Sequence, residues 1–249
     1  MDHAVVSREE WLAARKKLLE QEKEHTHARD RLNAARRELP WVKVEKSYGF
    51  DAPQGRVTLA ELFDGRSQLI VKHFMMGPGQ KHQCVGCSFE VDQVQSALVH
   101  LSNHDVTYTV VARAPLAEIE ALKKRMDWRF PWVSSFGSDF NYDFGVSFDA
   151  EQRASGNATY NYRPLQGLTI EDLSGHSAFY KNEAGEVFHT YSTFGRGAEE
   201  VLTAYMYLDF TPKGRNEPVR GNLTDWVRPH DRYGKRGHVE ATGRYVPED

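Results

Sequence analysis

"SQLIVKHFMMGPGQKHQCVGCSFEV", residues 67–91, decides the fold. It opens with an apolar run of strand length over 67–76, the pattern of a strand buried on both faces. Gly77, Pro78 and Gly79 break that run into a loop. Cys84 and Cys87 follow, the only two cysteines of the chain. Beyond them Phe89, Val91, Val94, Leu98 and Leu101 recur at helix spacing, which predicts a helix to about residue 102. The cysteines thus stand at the head of a helix that follows a buried strand. Working outward, "DVTYTVVAR" (105–113) predicts a second buried strand. "APLAEIEALKKRMDW" (114–128) predicts a helix with Pro115 near its first turn, and "FPWVSS" (130–135) a short strand. "SAFYKNEAGEVFHTYST" (177–193) reads as a hairpin, and "RGAEEVLTAYMYLDFTP" (196–212) as a helix stopped by Pro212. Strand, helix, strand, hairpin and helix, joined by short right-handed connections, pack as one sheet between helices. That layout is α/β, thioredoxin-like and three-layered.

Three segments lie outside it. Residues 1–38 predict a helical extension, opened by Ser7 and Glu10 at capping-box spacing and closed before Pro40. Its stripe of Trp11, Leu12, Leu18, Leu19 and Leu32 is too sparse for a self-sufficient coiled coil. The helix must then pack on the domain or on a second copy, so a homodimer is one expectation. Within the domain, 39–212, residues 136–175 are rich in aromatics, Asn, Asp and Gly and read as an irregular, β-rich insertion. The tail, 213–249, is polar, with Gly and Pro spread through it, and is expected to wrap the surface. The 249 residues can bury a sizeable core, and a net charge of −3 gives no footprint for nucleic acid. No apolar run approaches the roughly 20 residues of a membrane span, and the charged N-terminus is not a signal peptide, so a cytoplasmic location is expected.

In a reducing compartment a close cysteine pair points to redox chemistry or a metal. A helix N-terminus offers unpaired N–H groups and partial positive charge, which favour thiolate at Cys84. Lys81 and His82 could add to this effect, and Gly86 leaves the approach uncrowded. The expected division of labour has Cys84 attacking a substrate disulfide and Cys87, better shielded one turn into the helix, resolving the mixed disulfide. The alternative is a metal centre, since His82, Cys84 and Cys87 are ligand types at zinc-like spacing and a distant histidine could close the set.

Several segments together resemble a bacterial thioredoxin-like family of predicted dithiol–disulfide oxidoreductases. They are "QLIVKHFMMGP", "CVGCSFEVDQV", the stretch from "HLSNHDVTYTVV" through "FNYDFGVSF", and "VFHTYSTFGRGAEEVLTAYMYLDFTPKGR", covering about residues 8–233. The resemblance implies a thioredoxin-like fold and places the family's CxxC on Cys84 and Cys87; no cofactor is expected. Thioredoxin itself carries a Trp before its first active-site cysteine and a cis-proline facing the pair. Here no Trp precedes Cys84, and Gly175, His176 or Ser177 falls at the facing position. His82, His176 and Ser177 are therefore the candidate substrate contacts, with a protein or small-molecule thiol or disulfide as partner. The peroxiredoxin Pro-x-x-x-Thr-x-x-Cys box is absent. Sco-type copper proteins pair two cysteines with a facing histidine, so Cys84, Cys87 and His176 form the alternative copper or zinc set. That set would make the chain a metal-binding or delivery protein, and a third class is a non-enzymatic interaction protein. Weaker candidates are Asp139 and Asp143 as acid–base groups, and His189, Tyr191 and Arg196 as an anion site at a helix start. For these, turn, surface, packing and capping roles are the simpler reading.

Overall fold

A computed structural model of the protein describes residues 3–217 and 226–248 and comprises two units, Met1–Trp41 and Val42–Asp249. The first unit is one helix, α1 (Arg8–Arg37). Its capping box forms as the sequence predicts: the Glu10 N–H donates to Ser7 Oγ at 3.2 Å, and the Ser7 N–H to the Glu10 carboxylate at 2.9 Å. Trp11, Leu12, Leu18, Leu19 and Leu32 are 39–49% exposed.

The second unit begins with β1 (Val42–Lys43), the hairpin β2 (Gly49–Ala52) and β3 (Gly55–Thr58), and then β4 (Gln68–His73). Helices α2 (Val85–Asp92) and α3 (Leu98–Asn103) lead to β5 (Val106–Ala112), α4 (Leu116–Arg125) and β6 (Trp132–Ser134). Short elements follow: α5 (Phe140–Asp143), α6 (Ala150–Ser155) and the two-residue strands β7 (Thr159–Tyr160) and β8 (Arg163–Pro164). Next come the long hairpin β9 (Gly175–Lys181) and β10 (Val187–Phe194), α7 (Thr203–Leu208), and the tail hairpin β11 (Gly237–Val239) and β12 (Tyr245–Pro247). Eight strands form one sheet in the order β1-β10-β9-β4-β5-β6-β2-β3. At its centre β4 and β5 run parallel, while β9 lies antiparallel on the other side of β4 and β10 antiparallel to β9. Two parallel strands with a helical crossover, flanked by an antiparallel hairpin beside the first strand, make the fold thioredoxin-like.

Alternation along β4 builds the two layers around the sheet. Leu69, Val71 and His73 face a core with Phe50, Phe63, Val111, Phe140 and Phe179. Ile70 and Phe74 face the other core, with Cys84, Cys87, Val110 and Trp132. Met75 and Met76 follow the strand's end and remain buried on this cysteine side. No helix among the described residues is long and apolar enough to cross a membrane.

Three expectations need correction. The helix over 85–102 is two helices. After α2 the backbone tightens to i→i−3 bonds, and the Gln93 side chain donates to Phe89 O at 2.6 Å and accepts the Ala204 N–H at 2.6 Å. The helix over 196–212 is a 3₁₀ segment, Gly195–Val201, followed by α7; Leu202, at φ −88° and ψ 75°, separates them. The β-rich insertion holds more helix than strand. Asp149 and Gln152 close a capping box on α6, and Gly156 ends it at φ 69°. Of its aromatics Phe140 and Phe148 are buried, whereas Phe136 and Tyr162 are exposed, so the expected burial holds only in part. The insertion is tied to β5's end by Arg113, which donates to Asp172 at 2.6 and 2.9 Å, to Glu171 at 2.9 Å and to Tyr142 at 2.9 Å. Of the tail, 218–225 lies outside the described residues. Its end does more than wrap the surface, as shown below.

His73 is fully buried, stacked on Phe140 at 5.5 Å, with Nε2 2.9 Å from Ser177 Oγ. Burial depresses its pKa to about 3, so it is neutral in the fold. The unfolded chain takes up this proton near pH 6.5, so the stability from neutral His73 is present above that pH and is lost as pH falls toward 3. The urea stability should fall by about 2 kcal/mol between pH 8 and pH 5 from this group. His73→Gln, which keeps a hydrogen-bonding side chain without titrating, should flatten that part of the curve. An equally steep curve in the variant would exclude His73 as its source.

Candidate active site

β4 ends at His73, and the chain crosses a loop to place Cys84 at the N-cap of α2. Cys84 Sγ accepts the Cys87 N–H at 3.3 Å, as a cap should. Both thiols are free, and both are buried: Cys84 is 7% exposed and Cys87 2%.

The cover is the end of the tail. The Val85 N–H donates to Gly243 O at 2.8 Å and the Tyr245 N–H to Gln83 O at 3.3 Å. Cys84 and Arg244 form an isolated antiparallel bridge between these bonds. Tyr245 and Val227 complete a small core with Val85, Phe89 and Tyr205. The open approach expected at Cys84 is therefore closed. A strand-like bridge to a loop has no periodicity of its own, so the sequence of the tail carries no signal for it.

Beneath the thiols lies a buried charge network. Lys72, on the cysteine face of β4, is fully buried and donates to the Glu90 carboxylate at 2.6 Å and to Ser174 Oγ at 2.7 Å. His176 Nε2 lies 2.7 Å from the other Glu90 oxygen. Burial alone would raise the Glu90 pKa, but Lys72 and His176 hold it down at about 2. Burial alone would discharge Lys72, but Glu90 and then the cysteines keep its pKa raised. A buried ammonium is thus fixed beside two thiols.

Its effect is unequal. Burial pushes the Cys87 thiol up, yet the hydrogen bond from Cys84, the Lys72 charge and the Met75 N–H outweigh it and bring Cys87 to about 7. Cys84 goes well above its ordinary value, chiefly because its proton is held in the bond to Cys87, with burial adding to this. The sequence places the first thiolate on Cys84 through the helix field. In the structure the hydrogen bond within the pair, and after it the Lys72 charge, lower Cys87 while Cys84 is raised, which favours the thiolate at Cys87.

The other candidates fall in different places. His82 is half-buried in the loop before Cys84. His176 is on the cysteine face, paired with Glu90. Ser177 is not: its hydroxyl bonds His73 and Ser192 on the opposite face, since neighbours on a strand point to opposite sides. Among the described residues no group of three or more His, Cys, Asp or Glu side chains is arranged to hold a metal ion. Asp139 and Asp143 both pair with Lys46, at 2.8 and 2.6 Å. Arg196 pairs with Glu199 at 2.7 Å, while His189 and half-buried Tyr191 lie on β10. The functional residues that sequence reasoning missed are Lys72 and Glu90. Their signals were a lysine inside "LIVKHF" and a glutamate three residues after Cys87, on a helix with an apolar face.

Fold and site together define a thioredoxin-like α/β protein with a buried CxxC. The chain belongs to the bacterial family of unknown function DUF899, whose model matches residues 1–233. No curated protein matches it. Among solved structures it is similar to peroxiredoxin Q of Xanthomonas campestris, at 13% identity over 64% of this chain and 90% of that one, with a TM-score of 0.41. It is also similar to peroxidoxin BcpB of Mycobacterium tuberculosis, at 11% identity over 66% and 94%, TM-score 0.39. A third is peroxiredoxin 6 of Arenicola marina, at 14% identity over 85% and 99%, TM-score 0.42. These likenesses are distant, and the fold assignment rests on strand order.

Lys72→Met should raise the apparent pKa of thiol alkylation by more than one unit, because it removes the cation that favours thiolate. It should also cost about 3–5 kcal/mol in urea unfolding, since Glu90 would lose its main buried partner. An unchanged pH profile in a folded Lys72→Met protein would separate the lysine from the thiols.

Proposed function

We propose that the protein is a thiol–disulfide oxidoreductase in which Cys84 and Cys87 cycle between dithiol and disulfide. The observation that carries this reading is the buried Lys72 ammonium, kept charged beside two reduced thiols at a helix N-terminus. An inert structural pair has no use for such a charge, and burying one is costly.

The chemistry follows from the protonation pattern. In the resting dithiol the thiolate sits on Cys87 and the proton on Cys84. As Cys84 Sγ attacks a sulfur of the substrate disulfide, its proton passes along the hydrogen bond to Cys87. The substrate S–S bond breaks, and one half leaves as thiolate while the other is held on Cys84. Cys87 then gives its proton to the leaving thiolate and attacks Cys84 Sγ, which releases the second half as thiolate. The substrate gains two electrons and the protein holds a Cys84–Cys87 disulfide. Cys84 is thus the nucleophile and Cys87 first base, then resolving thiol. Lys72, Glu90 and His176 are positioning residues that set which sulfur holds the charge.

The substrate disulfide reaches Cys84 only where the Gly243–Tyr245 strap has moved aside. With two backbone bonds and one buried tyrosine holding it, the strap is a local element whose opening costs less than global unfolding. Thiol peroxidase chemistry of the kind named for the peroxiredoxins is not part of the proposal, because their Pro-x-x-x-Thr-x-x-Cys box is absent.

Alkylation by iodoacetamide, read by mass spectrometry across pH 5–10, tests the assignment. Wild type should show an apparent pKa near 7 for the pair, and Cys87→Ser should shift reaction at Cys84 upward by at least one unit as its base is lost. Tyr245→Ala should speed alkylation of Cys84 at least about tenfold by loosening the strap, with secondary structure retained. Thiols that react at one rate in wild type and Tyr245→Ala remove the strap. A Cys87→Ser profile identical to wild type removes the base role.

A further inference from the structure

A cavity lies on the sheet face away from the cysteines. Its volume is about 410 Å³, and its walls include Tyr48, Phe144, Tyr162 and Phe194, with His189 and Ser192 on the β10 side. That size suits a ligand of one or two rings. Two features show that this space is built.

The first is a chain of polar side chains leading from it into the core. His189 Nε2 lies 2.7 Å from Ser192 Oγ, Ser192 Oγ 2.8 Å from Ser177 Oγ, and Ser177 Oγ 2.9 Å from His73 Nε2. Ser192, Ser177 and His73 are buried, and an apolar sheet face would be more stable without polar groups to satisfy. The second is the lip. Asn161 and Tyr162 form the two-residue turn of the β7–β8 hairpin with φ +50° and +62°. Such a turn favours glycine at its second position, and a bulky residue there is strained. Tyr162 is nonetheless held over the cavity by a hydrogen bond from its hydroxyl to Ser192 O at 3.0 Å and by edge contact with Phe194 at 5.6 Å. Strained residues cluster at active sites and ligand clamps, which points to a ligand here.

The groups present also fix the kind of ligand. His189 Nε2 is 3.1 Å from Tyr191 O, and a carbonyl only accepts, so Nε2 carries the proton. Burial lowers the His189 pKa, the ring stays neutral, and Nδ1 is its lone-pair acceptor. A neutral acceptor takes an O–H donor and gives no charge to a carboxylate. The cations at the rim are already engaged, Lys43 by Glu186 and Lys46 by Asp139 and Asp143. Four aromatic walls favour a flat ring.

We propose that the cavity between β10, the β7–β8 hairpin and the Tyr48–Phe144 wall binds a small, uncharged planar phenol, with the ligand hydroxyl donating to His189. This site is independent of the cysteine chemistry.

The test is an NMR titration of the full-length protein with 2-naphthol, following the His189 imidazole signals, with 2-naphthoate as the charged control. 2-Naphthol should shift those signals with a Kd on the order of 1 mM or tighter, and 2-naphthoate should not. His189→Phe, which keeps an aromatic ring and removes the acceptor, should weaken binding by about tenfold. Tyr162→Gly relaxes the turn, so it should melt no lower than wild type while binding less tightly. The proposal is overturned if His189 stays unshifted by 2-naphthol, if 2-naphthoate binds as well, or if the folded His189→Phe protein binds 2-naphthol like wild type.

Discussion

The ion pair between Lys72 and Glu90 is the constraint around which the cysteine side of this protein is organised. A fully buried lysine on the central strand has no access to water, so its charge must be met from within. Glu90 meets it from α2, and this fixes the rotation of the helix that carries Cys84 and Cys87. His176 on β9 and Ser174 just before that strand add further contacts, so strand, helix and hairpin converge on one charge. The charge that must be neutralised for folding is also the charge that favours a thiolate. Under the proposed function, stability and reactivity are coupled there through a single ammonium group.

The strap acts against that coupling. Helix field and cation make the pair acidic, while the tail excludes the water that would stabilise the anion and the substrate that would consume it. The result is a proton shared unequally within the pair, held on Cys84 and drawn off Cys87. In the proposed reaction, opening the strap would reverse both effects at Cys84, because the sulfur would regain solvent and meet its substrate together. In that reaction access and activation would depend on the same few residues, Gln83 and Val85 on one side and Gly243 and Tyr245 on the other.

The fold was legible in the sequence where periodicity is strong. "LIV" and "TYTVVA" are apolar through and through and became β4 and β5, and the Gly185 turn became the β9–β10 hairpin. Ser7 and Glu10 gave the start of α1 because a capping box is local chemistry. What was hidden depends on contacts distant in sequence. Nothing within 93–97 reveals that Gln93 will bond Ala204 and interrupt a helical pattern, and nothing near 244 points to a bridge with Cys84. The cysteines were legible as a site through spacing, but their ranking was not. That ranking depends on the hydrogen bond between them and then on a lysine twelve residues before Cys84, and "VKH" in an apolar run was open to reading as an ordinary strand. Ser177 was misplaced by one strand residue, which is enough to move a side chain through the sheet.

The central claim is that Cys84 and Cys87 are one reversible two-electron couple. Equilibrating the folded full-length protein in graded ratios of reduced to oxidised glutathione or dithiothreitol, followed by acid quenching and mass spectrometry, measures this directly. A single transition to an intramolecular Cys84–Cys87 disulfide is predicted, with a potential between about −270 and −120 mV. Two thiols that stay reduced across that range, or that form only separate mixed disulfides with glutathione, would contradict it.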